Sequence, residues 1–296
     1  MKLSFRHTNN TPSAASGGKE QPMPLTDLVR YLNARDRDQR PFLRLDDPFV
    51  ATETGAEAHY ARITLDSSYA PIHIGSSGSL HGHAAVLNAR GELNDMPLHP
   101  DAVFAIPSSN EEFVHLDRLV RTLHALNYLL HPDQQHLYVK INLRHIEIVP
   151  GGHGIVFENA LRACGLDPQN ITLEVNVLDE PNEALRTALD AYRARGYRIA
   201  LAVHDSDWQD SHWLLSLKPD VVRLDNALLD NLEQLKLLAL RLSDYGIRSL
   251  INADTAAQAK RASAAGVELI QHSVGNESRL GVRADRQDGR AHAQAN

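Results

Sequence analysis

A chain of 296 residues, 43% hydrophobic and 23% charged, carries enough apolar material for one large core, and a single α/β barrel of this length is ordinary. A formal charge of −7 with a pI near 6.1 gives no basic field for a nucleic-acid polymer or an anionic membrane surface. The lone cysteine, Cys164, excludes an intrachain disulfide framework; with no signal-peptide pattern and no apolar run of ~18 residues, a cytoplasmic location is expected.

Residues 1–24 are rich in Ser, Gly, Asn and Pro and read as a flexible tail, as do residues 283–296; one domain is expected over 25–282. Thr26 to Asn33 reads as a helix capped by Thr26, with Leu28, Val29 and Leu32 on one face. Residues 45–100 read as strands and turns, with Gly75-Ser76-Ser77-Gly78 as hairpin punctuation. From Glu112 onward the order becomes helix, glycine, strand. Leu116 to Leu130 repeats Leu and Val at helical spacing. Asn182 to Arg195 puts Leu185, Ala188, Leu189 and Tyr192 on one face and stops at Gly196. Asn226 to Tyr245 is a Leu-rich helix apolar on more than one side, which fits either deep packing or a surface for a partner. Gly165, Gly196, Gly246 and Gly266 sit where a left-handed residue turns a helix end back toward the next strand.

Six short apolar runs follow or precede these helices: Leu137 to Asn142, Ile171 to Asn176, Arg198 to Val203, Val221 to Asp225, Arg248 to Asn252 and Val267 to His272. Parallel strands with right-handed crossovers satisfy this order. Six strands plus an N-terminal hairpin contributing the first strands suit a TIM-like (β/α) barrel better than the alternative, an open doubly wound sheet. In a parallel barrel the chemistry sits at the C-terminal strand ends. Here those ends carry Asn142, Glu174, Ala202 with Val203, Arg223 with Asp225, Ile251 with Asn252 and Asp254, and Gln271 with His272. Asn142 and Glu174 together would make a weak divalent-cation site, and for each alone a hydrogen-bonded core group is the preferred reading.

Two histidine patterns invite a metal reading. His204, Asp205, Asp207, Asp210 and His212 fall within nine positions, yet with 16 histidines in the chain a solvated polar loop is preferred to a zinc or manganese site. His81 and His83 alternate on a strand and share a face, and a ladder of half-buried histidines is preferred to a metal site.

The order VKINLR, ITLEVN, RIALAV, VVRLD, TAAQ, AAG, IQH resembles the EAL domain, the bacterial family of cyclic di-GMP phosphodiesterases, over about residues 60–280. Tyr69, Pro71 and Ile72 stand where the family's Tyr-Gln-Pro-Ile strand places them, and Gly82 matches the glycine before the signature. The ungapped spacing from Arg198 to Asp225 and from Thr255 to Gln271 makes the match specific. The resemblance implies an EAL-type α/β barrel.

It also implies which family residues are gone. The signature glutamate, a metal ligand in the family, falls on Ala84, and the arginine after the signature, a nucleotide contact, falls on Asn88. Asn142 and Glu174 match the family's metal-binding asparagine and glutamate. Its aspartate pair falls on Ala202 and Val203. The lysine of its Lys-Ile-Asp is Arg223, and the aspartate is kept as Asp225. Its late glutamates fall on Ile251 and Asp254. Alanine, valine and isoleucine offer no lone pairs, and arginine does not relay a proton at neutral pH. The expectation is a degenerate, non-catalytic member with no catalytic residue, no metal and no cofactor. It would act by binding a regulatory protein in bacterial cyclic di-GMP, motility or biofilm signalling. Two alternatives stand beside it: a metal-independent cyclic di-GMP receptor using Arg223 as a phosphate contact, and a metal-dependent phosphodiesterase rearranged around the His204 to His212 loop. No GGDEF, PAS or receiver segment is visible as an input.

Overall fold

The computed structural model describes residues 25–39, 47–93, 95–149, 151, 154–177, 181–203 and 212–274. The chain order begins with α1 (Leu25–Gln39), a short hairpin of β1 (Phe49–Ala51) and β2 (Ala56–Tyr60), and two long strands, β3 (Ile63–Ile74) and β4 (Leu80–Gly91). The two-residue β5 (Pro97–Leu98) and α2 (Pro100–Phe104) lead to α3 (Asn110–Tyr128) and β6 (His136–Ile141). Then come α4 (Leu143–Ile148), α5 (Ile155–Ala163), β7 (Ile171–Val177), α6 (Glu183–Ala194), β8 (Arg198–Val203) and α7 (His212–Ser216). The order closes with β9 (Val221–Arg223), α8 (Leu232–Asp244), β10 (Arg248–Ala253), α9 (Ala256–Ala264) and β11 (Leu269–His272).

β6 through β11 lie side by side, each parallel to the next, and β4 pairs parallel with β6. β3 runs antiparallel to both β4 and β11, so the ring of eight strands closes and the open-sheet alternative is excluded. β1 and β2 extend β3 beyond the ring, and β5 extends β4.

Strand alternation sorts the side chains into two cores. Ala70, Ile72, Ala84, Tyr138, Ala200, Val221, Leu250 and Leu269 fill the lumen, where alanines leave room for the larger side chains. The opposite faces, among them Leu137, Val139, Leu173, Leu201, Val222 and Ile251, pack under the helices. α6 shows how the helices are made: Asn182 Oδ1 accepts from Leu185 N at 2.9 Å, Leu185, Ala188, Leu189 and Tyr192 are buried, and Gly196 at φ 92° ends it. α1 buries Leu28, Val29 and Leu32, each worth about 1.5–3 kcal/mol. Asn33 ties it to the backbone of Phe49 in both directions, at 2.8 and 3.0 Å.

Three local expectations need correction. The Leu-rich segment is two elements, because Asp225 caps a 3-10 turn over Asn226–Asp230 and Asn231 then caps α8. Thr26 lies inside the first turn of α1 rather than before it. His81 and His83 do not share a face: Leu80 pairs with His73 and Gly82 with Ile72, so His81 is the extra residue of a bulge. His81 therefore reaches the lumen floor at Tyr138, whereas His83 packs against Tyr128 and His131 outside the ring. Gly82 is required here, since a Cβ would stand 2.1 Å from the His136 carbonyl oxygen. The expected tails and most of the His204 to His212 loop lie outside the described residues.

Candidate functional site

The C-terminal ends of the parallel strands open into a cavity of about 610 Å³, bounded on one side by α2 and α3. Arg223, the lumen-facing end of β9, dominates it. Its Nε and one terminal nitrogen donate to Glu174 Oε2 on β7 at 2.9 and 2.6 Å. The same terminal nitrogen donates to Gln271 Oε1 on β11 at 2.8 Å, and the other donates to Asn252 Oδ1 on β10. The pair is enclosed, with side-chain exposures of 12% for Arg223 and 2% for Glu174. β8 makes this span possible. It lies between β7 and β9, and its two lumen positions here are Ala200 and Ala202, which present only methyl groups.

Asn142 closes the neighbouring strand end and is fixed from behind. Its Oδ1 accepts from Arg144 N at 3.0 Å as the cap of α4, and its own backbone N donates to Asp117 Oδ1 at 3.3 Å. Asp117 belongs to a buried trio. Arg121 Nε and a terminal nitrogen reach Asp117 Oδ2 at 3.0 and 2.7 Å, and His145 Nδ1 lies 3.1 Å from the same oxygen. Burial works to raise the Asp117 pKa, but the Arg121 guanidinium and the His145 hydrogen bond outweigh it and hold the carboxyl below its usual range. The Arg121 guanidinium also lies 5.1 Å from the centroid of the Phe157 ring. Burial pushes the Tyr138 phenol, on the lumen wall below, up to about 12, so it stays a neutral hydrogen-bonding group.

The structure gathers Ala84, Asn142, Glu174, Ala202 and Arg223 around this cavity. It does not gather the others. Val203 and Ile251 are buried with side chains in the layer between barrel and helices, so neither position faces the mouth. Asp225 Oδ1 accepts from Ala227 N at 2.8 Å as a cap, and Asp254 accepts from Ser273 Oγ. Asn88 sits further along β4, where its Oδ1 accepts from Ser68 Oγ at 3.3 Å. Asn252 and Gln271 were visible as polar strand ends, but their convergence on Arg223 depends on the strand register, which links Asn252 with Gln271 and Leu250 with Arg223. Asn176, the polar end of its apolar run, and Lys140, which carried no sequence signal, also line the cavity.

This donor set does not fit a pair of divalent metals. Ala84 and Ala202 offer no ligand, Ile251 and Val203 point elsewhere, and Glu174 Oε2 is already held by a guanidinium. Among the described residues no group of three His, Cys, Asp or Glu side chains is placed to hold a metal ion. The described residues also contain no helix long and apolar enough to cross a membrane. Cys164 is buried and its thiol is pushed up to about 12 by desolvation, which removes it as a nucleophile.

A family model described as the EAL domain matches residues 58–271. No curated protein matches the chain. Among solved structures, BlrP1 of Klebsiella pneumoniae with calcium and cyclic diGMP superposes at a TM-score of 0.58 and 18% identity, covering 70% of this chain and 54% of that one. Bacillus subtilis YkuI, a protein with an EAL domain in complex with substrate c-di-GMP and calcium, gives 0.58 at 16% identity, with coverage of 73% and 55%. The chain thus spans about half the length of these two. The EAL domain of Xanthomonas citri FimX, in complex with c-diGMP, gives 0.55 at 18% identity and coverage of 83% and 92%. At such identities the superpositions establish the fold alone.

Proposed function

The chain belongs to the EAL domain family, and from that premise we propose that it is a non-hydrolytic member that works as a regulator through contacts with another protein. The observation that carries this reading is the state of Glu174. It is the one family carboxylate that faces the cavity, and it is neutralised by Arg223 between strand ends that offer alanine instead of acid. Metal-assisted phosphodiester cleavage needs a bridging carboxylate cage to hold its ions and activate water, and the described residues of this mouth supply none.

Binding to a protein has its own support. α8 buries Leu235, Leu238 and Leu242 but leaves Leu237 and Leu240 at 65% and 59% exposure on its outer face, and its C-cap Tyr245 is 59% exposed. An exposed apolar cluster of this kind marks contact surfaces on soluble domains. The setting that fits is bacterial cyclic di-GMP, motility or biofilm signalling, and the partner's chemistry includes an apolar patch.

A second reading, a metal-independent receptor for cyclic di-GMP, is favoured by the open cavity. Lys140 lines it and makes no ion pair among the described residues, leaving one cation for a phosphate. Calorimetric titration with cyclic di-GMP, with and without magnesium, separates the two. No heat in either condition is the expected result. Micromolar or tighter binding that Lys140→Ala and Arg223→Ala both weaken would replace the interaction reading with the receptor.

A further inference from the structure

Among the described residues, the acceptors that meet the Arg223 guanidinium are oxygens, the atoms a hard cation also prefers. Glu174 Oε2 takes two of its N–H groups, at 2.9 and 2.6 Å, Gln271 Oε1 takes one at 2.8 Å, and Asn252 Oδ1 takes another. One carboxylate and two amide oxygens, drawn from β7, β10 and β11, line the edge of the guanidinium with a net charge of −1. Calcium and manganese choose ligands of this type.

The guanidinium reaches these oxygens because two changes act together. An acid at Ala202 would intercept Arg223 on the adjacent strand, since Ala202 is its direct register partner. With alanine there, the side chain passes β8 and meets Glu174. A lysine at the same position would bring a single point charge, without the planar fork that addresses three acceptors at once. The cation has become part of the chain.

We infer that Arg223 is the resident cation of the barrel mouth, a covalently tethered replacement for a metal ion that cross-links β7, β9, β10 and β11 and makes the protein indifferent to divalent ions. This rests on the reading of the mouth as lacking a metal cage. It adds the group that took over, and a consequence: removing the guanidinium bares three oxygens that will accept a cation from solution.

Thermal unfolding of the full chain tests this with wild type, Arg223→Ala and Arg223→Lys, each in EDTA, in millimolar manganese and in millimolar methylguanidinium. The wild-type midpoint should be the same in all three within about 1 °C. Arg223→Ala should melt at least about 5 °C lower, since an enclosed pair has lost one partner. Manganese or methylguanidinium should restore part of that loss, and Arg223→Lys should fall between the two. A wild-type midpoint raised by manganese, an Arg223→Ala midpoint equal to wild type, or a loss that neither cation restores would overturn the inference. If Arg223→Ala does not fold, Arg223→Lys decides: a lower midpoint supports the tethered cation, and one equal to wild type refutes it. Hydrolysis of cyclic di-GMP by the wild type would overturn the proposed function without moving these midpoints, so the two failures are distinct.

Discussion

Removing the Asp117 carboxylate should unseat the mouth from behind. Asp117, Arg121 and His145 have side-chain exposures of 3%, 2% and 3%, so Asp117→Ala leaves a guanidinium buried without its counter-ion. Breaking a buried pair from one side costs about 3–5 kcal/mol, and the Phe157 ring beside Arg121 is in place before and after the change, so it offsets none of that. The expected loss is therefore about 3–5 kcal/mol. Equilibrium urea unfolding reads it as a lower midpoint at unchanged slope. The double variant Asp117→Leu/Arg121→Met, which removes both charges and keeps apolar volume, should recover most of the loss, to within about 1–2 kcal/mol of wild type. A cost below about 1 kcal/mol for Asp117→Ala, or a double variant less stable than the single one, would refute the account of this trio.

Three further outcomes follow from buried groups elsewhere. His124 stays neutral in the fold down to about pH 4 because of its burial, whereas an unfolded imidazole protonates near 6.5. The unfolded chain therefore holds the extra proton between those values, so the His124 contribution should be full above pH 6.5 and fall by about 3 kcal/mol as pH drops to 4. Burial lowers His81, His83 and His136 in the same sense, so in pH-dependent urea titrations His124→Leu should reduce the acid-side slope by its share without abolishing it. Gly82→Ala forces a methyl group against the His136 carbonyl and should cost about 2–3 kcal/mol or more by the same measurement; a neutral effect would mean that β4 and β6 are not held at this approach. Cys164 should react with a thiol reagent at pH 8 only as fast as the protein unfolds, and labelling at the rate of a free thiol would contradict its burial.

Most of the barrel was legible because its signals are local and periodic. The bounds of β8 coincide with the apolar run from Arg198 to Val203, and Gly165, Gly196, Gly246 and Gly266 all take φ between 69° and 92°. What failed depended on neighbours. His81 leaves the face of His83 because a bulge against β3 adds one residue, and that pairing is not written in β4 itself. The Leu-rich helix divides at Asn231 because two caps compete within six residues, Asp225 and Asn231.

The site was legible as a set of losses rather than as a geometry. Ala84, Ala202 and Arg223 could be placed by resemblance, and the cavity does contain them. Ile251 and Val203 were placed in the same set, yet strand alternation turns both toward the helices. The convergence of Glu174, Asn252 and Gln271 on one guanidinium spans three strands and nearly 100 residues of sequence, so no local pattern could report it. Only the closed ring brings them within hydrogen-bond distance.

The central claim is that this member of the EAL family does not hydrolyse cyclic di-GMP. Incubation of the 296-residue chain with cyclic di-GMP and either magnesium or manganese, followed by chromatographic detection of the linear dinucleotide, tests it most directly. The account predicts no product above the protein-free rate at any metal concentration. Turnover that depends on the metal and stops with a chelator would contradict it.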